Sequence, residues 1–325
     1  MLPYAFRTET AESGLLTGID GKFAIVTGGG SGICHALTKL LLEAGCSVMI
    51  ADLRLRPEAQ NTVNAYSHPP AEPGRPSAVF HRTDVSDWTH LTSLWEAALQ
   101  TFGRIDIVVN GAGMFEPPSS AFWHPPGISK LSRDPADATV GQYKTFAVNA
   151  VGPIRLAQIA LDYWMENRHV EGNLMWISSI AGYTHTMMTP LYYAGKAAVV
   201  NFVKCLGSLR RTLGIRNSCV CPGAVFTPLF DQDHCRGLLR KEDVALTPEQ
   251  CAAVIMRVLQ EPQYGDGSIV ETRLDSFDAE PSVREVPLEA LYPTGGPLQQ
   301  VENVMAAEDK MKQELQLHGM RGSAS

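Results

Sequence analysis

The chain has 325 residues, 45% hydrophobic and 19% charged, with 28 glycines and 21 prolines. That composition excludes disordered, collagen-like and low-complexity classes and predicts a large buried core. The net charge of -7 argues against a general polyanion-binding surface, which needs clustered Lys and Arg, so no nucleic-acid partner is expected. No apolar run approaches the roughly 18 residues that suggest a membrane span, and residues 1–18 hold no apolar signal-peptide core. The seven scattered cysteines (34, 46, 205, 219, 221, 235 and 251) read as reduced core thiols of a cytoplasmic protein. Cys219-x-Cys221 lacks the two-residue gap of a zinc knuckle, and no metal site is expected.

Residues 23–26 read as a first strand, after which Ile33, Leu37, Leu40, Leu41 and Ala44 repeat at helical spacing until Gly45 stops them. Residues 47–51 and 78–80 read as the second and third strands. A helix marked by Leu91, Leu94, Trp95, Ala98 and Leu99 follows, then a fourth strand at 105–109. A long helix over 143–165 leads into a strand at 174–177, and a helix over 190–213 leads into one at 219–221. Thr247-Pro248-Glu249-Gln250 is a capping box with Pro at the first helical position, and a strand at 268–270 closes the series. The alternation predicts an α/β fold: one doubly wound domain over residues 18–275, with about seven parallel strands and helices on both faces. Three segments fall outside that pattern: an extension at 1–17, a Pro-rich insertion at 116–138 containing Phe122-Trp123-His124-Pro125-Pro126, and a tail at 276–325. The tail holds one predicted helix, 301–317, with apolar residues at 301, 304, 305, 311 and 315, expected to pack on the domain or on a second subunit.

Thr27-Gly28-Gly29-Gly30-Ser31-Gly32-Ile33 joins the first strand to the first helix. A dinucleotide pyrophosphate would there meet backbone N–H groups and the positive helix end. Asp52 ends the second strand, 24 residues after Gly28, where a carboxylate accepts hydrogen bonds from the adenosine ribose and repels a 2′-phosphate. Asp52 and the uncharged Ser31 favour NAD over NADP. Arg54 and Arg56 are the residues that would reach a 2′-phosphate instead, although they read more simply as a solvated turn.

Tyr192 and Lys196 stand four apart, on one face of a predicted helix, where an ammonium stabilises a phenolate. No other Tyr-x-x-x-Lys occurs in the chain. Ser178-Ser179 ends the preceding strand, at the carboxyl edge where open α/β sheets bind ligands, 13 residues before Tyr192.

In order, the chain carries Thr27-Gly28-x-x-x-Gly32-Ile33, Asp84-Val85, Asn110-Gly111-Ala112-Gly113, Asn149, Ile177-Ser178-Ser179, Tyr192-x-x-x-Lys196 and Pro222-Gly223-x-x-x-Thr227. This ordered set resembles the short-chain dehydrogenase/reductase family. The resemblance implies a Rossmann fold and hydride transfer between a nicotinamide cofactor, NAD or NADP, and a CH–OH group. It also implies cofactor contacts from Gly28, Gly30, Ser31, Gly32, Ile33, Asp52, Leu53, Val85 and Val225. Asp84 would bind the adenine amine, Asn110, Gly111, Ala112 and Gly113 would line the trough, Pro222 and Gly223 would contact the cofactor, and Thr227 would contact the nicotinamide carboxamide region. Tyr192 would exchange a proton with the substrate oxygen. Bringing a phenol from about 10 to near 7 needs roughly 4 kcal/mol, supplied by Lys196 and the positive nicotinamide. Ser179 would hydrogen-bond the substrate oxygen, and Asn149 would hold a water linking Lys196 to solvent. A homodimer or homotetramer, built through the helices carrying Asn149 and Tyr192, is implied as well.

One position departs from the family pattern. Cys34 replaces a glycine that permits close helix-to-strand packing, which predicts a slight displacement of the first helix with binding retained. By the same resemblance residues 226–244 form a substrate lid. Its Leu229, Phe230, Leu238 and Leu239, with Phe122 and Trp123, suggest a pocket for a hydrophobic secondary alcohol or ketone. Phe122 and Trp123 read equally as anchors of the insertion, and His185 as a loop histidine without a role. The extra loops and tail look most similar to prostaglandin-dehydrogenase-like and fungal secondary-metabolite members. Because a fold does not dictate its reaction, two alternatives stand: a non-redox or reductive cyclase or isomerase of a natural-product pathway, and a nucleotide-binding regulatory or interaction protein.

Overall fold

The structure, a computed structural model, describes residues 18–287 and 298–321; the predicted extension at 1–17 lies outside the described residues. Eight strands form one sheet: β1 (Phe23–Thr27), β2 (Ser47–Asp52), β3 (Ala78–Arg82), β4 (Ile107–Asn110), β5 (Asn173–Ile177), β6 (Arg216–Pro222), β7 (Asp266–Arg273) and β8 (Ser282–Glu285). Their order is β3-β2-β1-β4-β5-β6-β7-β8. The first seven are parallel, and β8 runs antiparallel along β7, with Val270 opposite Glu285.

Helices cover both faces, which is why the central strands are almost continuously apolar. Successive residues point to opposite faces, so Ile25 and Val108 join Leu156, Trp164 and Trp176 in one core. Val26 and Val109 join Leu37, Leu41 and Ile255 in the other. The helices are α1 (Gly32–Glu43), α2 (Pro57–Ala65), α3 (Trp88–Phe102), α4 (Lys144–Phe146), α5 (Gly152–Glu166), α6 (Pro190–Cys205), α7 (Leu209–Leu213), α8 (Pro248–Gln260) and α9 (Leu298–His318). Local chemistry sets their ends. Asp87 accepts from Thr89 N to start α3, Gly103 in the left-handed conformation stops it, and both bonds of the Thr247–Gln250 capping box open α8.

Several features differ from the sequence reading. Among the described residues there are eight strands rather than seven, because β8, Ser-Val-Arg-Glu, lies in the segment read as tail and carries no apolar alternation. α2 was not expected, since only Ala59 and Thr62 of its nine residues are buried. The helix predicted over 190–213 breaks between Cys205 and Leu209, and the one over 143–165 contains a π-helical turn, Ala147–Val151, between α4 and α5. The tail helix forms, but Val304, Met305 and Met311 are exposed, and the Val301 side chain lies outside those described. α9 docks by its end: Leu315 packs on the first core, Arg168 donates to Leu315 O, and Gln316 donates to Thr212 O.

All seven cysteines are free; six are buried and Cys205 is exposed. Among the described residues no helix is long and apolar enough to cross a membrane, and no group of three or more His, Cys, Asp or Glu is placed to hold a metal ion.

Candidate active site

The strand order reverses between β1 and β4, and in such sheets the crevice beyond the carboxyl ends at that point takes the ligand. Thr27 Oγ1 locks the crevice. It donates to Val109 O at 3.1 Å and accepts from Gly111 N and Ala112 N at 3.0 and 3.2 Å. Gly28 has φ 75°, and a Cβ there would lie 2.9 Å from Ala112 Cα; a side chain has no room where the backbone must approach a phosphate. A Cβ at Gly30 would collide with Arg54 O, and one at Gly32 would come within 3.3 Å of Thr227 Cβ. Ser31, the N-cap of α1, makes no side-chain cap bond, so it does not occupy the first-turn N–H donors, a natural anion seat. Both amide atoms of the Asn110 side chain are buried without a partner. Glycine cradle, uncapped helix start and orphaned carboxamide together fit a nicotinamide dinucleotide.

Asp52 closes one end of the crevice, at the end of β2. Its Oδ2 accepts from Gly30 N at 2.9 Å, and its Oδ1 accepts from Leu53 N at 2.7 Å and from Arg54 N at 3.5 Å, which leaves Oδ2 a further acceptor site. The Leu53 side chain is exposed. Arg54 is exposed, and Arg56 is paired with Asp231 at 2.9 Å. Asp84 is held by Lys144 Nζ at 2.7 Å and by Ser86 through both its N–H and its hydroxyl. Burial alone would raise the Asp84 carboxyl, but these bonds and the Lys144 charge bring it below the usual carboxylate range. Val85 is buried, and its carbonyl abuts Gly152, where no Cβ fits.

Cys34 is buried, and burial pushes its thiol up to about 12, so it is an inert SH at neutral pH. Its sulfur fills the space beside Gly111, where a Cβ would collide with it. The bulk added at one position is thus matched by the side chain missing at another. Gly111→Ala is expected to cost about 1–3 kcal/mol by overpacking, and Cys34→Gly in the same chain to recover part of the loss. Thermal melts of the two single variants and the double variant check this, and strictly additive effects would overturn it.

Asn149, Ser179, Tyr192 and Lys196 come from three segments, the π-helical turn, the exit of β5 and α6, and converge at the carboxyl ends of β4 and β5. Asn149 sits in the π-helical turn, an irregularity found disproportionately at functional sites. Its Oδ1 accepts from Met114 N and its Nδ2 donates to Met114 O, both at 2.9 Å. Gly113 lies between the side chains, since a Cβ there would be 3.4 Å from Asn149 Oδ1 and 3.7 Å from Lys196 Nζ. Lys196 is buried, donates to Ile177 O at 3.0 Å, and has its Nζ 5.7 Å from the Tyr192 ring centroid. Burial lowers its ammonium below the ordinary value. Ser178 donates to Lys196 O at 3.0 Å, tying α6 to the end of β5. Ser179 Oγ accepts from Ala181 N at 3.2 Å. Tyr192 is 9% exposed. Burial pushes its phenol up to about 12, and the neighbouring Ser179 hydroxyl pulls it partly back.

An apolar roof covers Tyr192. Phe115 lies 5.0 Å from the Tyr192 ring and 5.6 Å from Phe230, and Ala181, Leu229, Tyr193 and Cys235 complete the cluster. Phe230 and Leu229 belong to the segment following Pro222 and Gly223, whose base is clipped by a bridge between Val225 and Leu246; Leu238 is half exposed. Trp123 is half exposed and donates to Met187 O at 2.6 Å, with Phe122 edge-on at 5.0 Å. His185 is exposed. Sequence reasoning missed Phe115, Glu116, Lys144, Asp231 and His234. The one available signal was Glu116, an acid isolated in the run Met-Phe-Glu-Pro-Pro.

A parallel sheet whose strand order reverses at a glycine-lined crevice, with a buried Tyr–Lys pair at its carboxyl edge, is a Rossmann-like α/β fold. Residues 22–234 match the family model described as short chain dehydrogenase. The chain is 29% identical over 243 residues to an L-fucose dehydrogenase of Bos taurus, covering 74% of this chain and 76% of that one. It is 30% identical over 250 residues to an uncharacterized oxidoreductase of Staphylococcus aureus (strain USA300), covering 77% and 95%. A crystal structure of a short-chain type dehydrogenase/reductase from Mycobacterium marinum superposes with TM-score 0.62 at 21% identity, covering 78% of this chain and 94% of that one. The protein belongs to the short-chain dehydrogenase family, whose members are oxidoreductases using NAD or NADP on CH–OH groups.

Proposed function

We propose that this chain is an NAD-preferring dehydrogenase of hydrophobic secondary alcohols, or the reductase of the corresponding ketones. The observation that carries the reading is the burial of Tyr192 beside Ser179 and Lys196 under Phe115, Leu229 and Phe230. A sugar needs many polar partners, and this roof offers an apolar face instead. When bound, the nicotinamide supplies the site that accepts or donates hydride. Tyr192 holds or releases the proton at its phenol oxygen, Ser179 orients the substrate oxygen, and Lys196 favours the phenolate. Asn149 fixes the Met114 backbone beside Lys196 and is the residue to hold a water leading to solvent. Gly28, Gly30, Gly32, Ile33, Asn110, Ala112, Pro222, Gly223, Val225 and Thr227 would hold the dinucleotide. A soluble cytoplasmic homodimer or homotetramer, joined through the helices of Asn149 and Tyr192, belongs to the same reading, as does kinship with prostaglandin-dehydrogenase-like or fungal secondary-metabolite members.

NAD is preferred because the Asp52 carboxylate would face a 2′-phosphate, while Arg56, the cation nearest in sequence besides Arg54, is engaged by Asp231. Asp52→Ala is expected to weaken NADH binding about tenfold, the scale of one charge-assisted hydrogen bond, and to abolish the preference over NADPH. Titration of nicotinamide fluorescence checks it. Tighter binding of NADPH than NADH by the unaltered chain would overturn the preference, and binding of neither would overturn the dehydrogenase reading.

A further inference from the structure

Glu116 is 4% exposed, yet among the described ion pairs none involves it. Its partners are main-chain donors: Oε1 accepts from Phe122 N and Oε2 from Tyr192 N, both at 2.9 Å. A buried carboxylate without a cation is costly unless charge-assisted hydrogen bonds compensate it. Here the compensation is the start of α6, where the helix dipole favours a negative charge. α6 does not cap itself. Thr189 at the N-cap makes no side-chain cap bond, its hydroxyl is buried without a partner, and Pro190 has no N–H. The donor at Tyr192 is instead satisfied from the segment leaving β4, which also supplies Asn110 to Gly113 and the Phe115 ring on Tyr192.

The second oxygen extends the tie. Phe122 precedes Trp123, whose indole donates to Met187 O three residues before Pro190. Glu116, Phe122–Trp123, Met187 and the start of α6 therefore close a ring of contacts back to Tyr192. On the lid side, His234 Nε2 lies 2.9 Å from Phe115 O, so the segment carrying Glu116 is held from two directions.

Building on the dehydrogenase reading, we propose that Glu116 is a positioning residue, which sets Tyr192 against the cofactor trough and fixes the Phe122–Trp123 wall of the substrate pocket. Both oxygens accept, so Glu116→Gln keeps the volume but presents an NH₂ to one of the two donors, and Glu116→Ala leaves both unbonded. A misplacement of about 1 Å costs on the order of 10² in rate. In steady-state kinetics with NAD and a hydrophobic secondary alcohol, Glu116→Ala should lower kcat 10- to 100-fold, with NADH affinity within twofold of the unaltered chain. Glu116→Gln should fall between. Amide hydrogen exchange should quicken at least tenfold at Tyr192 and Phe122 in Glu116→Ala, a readout independent of turnover. Glu116→Gln with unchanged kcat and unchanged exchange at both amides overturns the proposal. So does loss of NADH affinity in step with kcat in both variants, which would make the effect a general loss of fold. If the unaltered chain turns over no alcohol while Glu116→Ala frees both amides, the tie stands and the dehydrogenase reading falls; turnover abolished by Tyr192→Phe but untouched by either Glu116 variant does the reverse.

Discussion

Tyr192→Phe is expected to lower kcat for alcohol oxidation about 10³-fold, the scale of general acid–base catalysis, with NADH affinity nearly unchanged. The substitution removes one oxygen from a ring already packed on Phe115 at 5.0 Å, so the fold has little to lose. Direction matters as well. Oxidation needs the phenolate and ketone reduction the phenol. Because burial pushes the free-protein phenol up to about 12, oxidation should rise and reduction fall as pH increases through the titration in the cofactor complex. Absorbance of NADH followed in both directions across pH checks this. A natural-product cyclase or isomerase that uses the nicotinamide pocket as a scaffold would instead keep its product yield in Tyr192→Phe.

Lys196→Met should move that titration upward rather than remove it. Nζ lies 5.7 Å from the Tyr192 ring centroid. At such a separation, and with an effective dielectric near 20, opposite charges attract by about 3 kcal/mol, or about two pKa units. Oxidation near pH 7 should therefore drop about 10²-fold and recover partly at alkaline pH, which Tyr192→Phe should not do. Methionine retains the buried stem, though Ile177 O loses its donor. A pH profile superimposable on that of the unaltered chain would remove Lys196 from phenolate stabilisation.

Much of the fold was legible because each strand is a short apolar run and each following helix shows its period. Leu37 and Leu41 of α1, and Leu91, Leu94 and Ala98 of α3, are all fully buried as their spacing requires. β8 was not legible, since its Ser-Val-Arg-Glu stretch is held by pairing with β7, and Arg284 pairs across the sheet with Glu271 of β7. The π-helical turn at Asn149 was hidden because the sequence continues in helical period through it. The exposed Val304, Met305 and Met311 of α9 show the converse: a stripe of apolar residues does not by itself say what it will touch.

By itself, the sequence determined the α/β order, the glycine loop, the acid at the end of β2 and the Tyr–Lys pair on one face of α6. These depend on spacing within one element or on the turn between two neighbours, where covalent geometry leaves few choices. Only the tertiary structure decided what the side chains face. Lys144 lies 60 residues from the Asp84 it pairs with, Asp231 lies 175 from Arg56, and Glu116 lies 76 from the Tyr192 amide it accepts from. Cys34 looks like a misfit until Gly111, on another strand's exit, is seen to make room for it. Such partners meet because the sheet brings strand ends together and burial excludes water as the alternative partner, and no local pattern encodes that pairing.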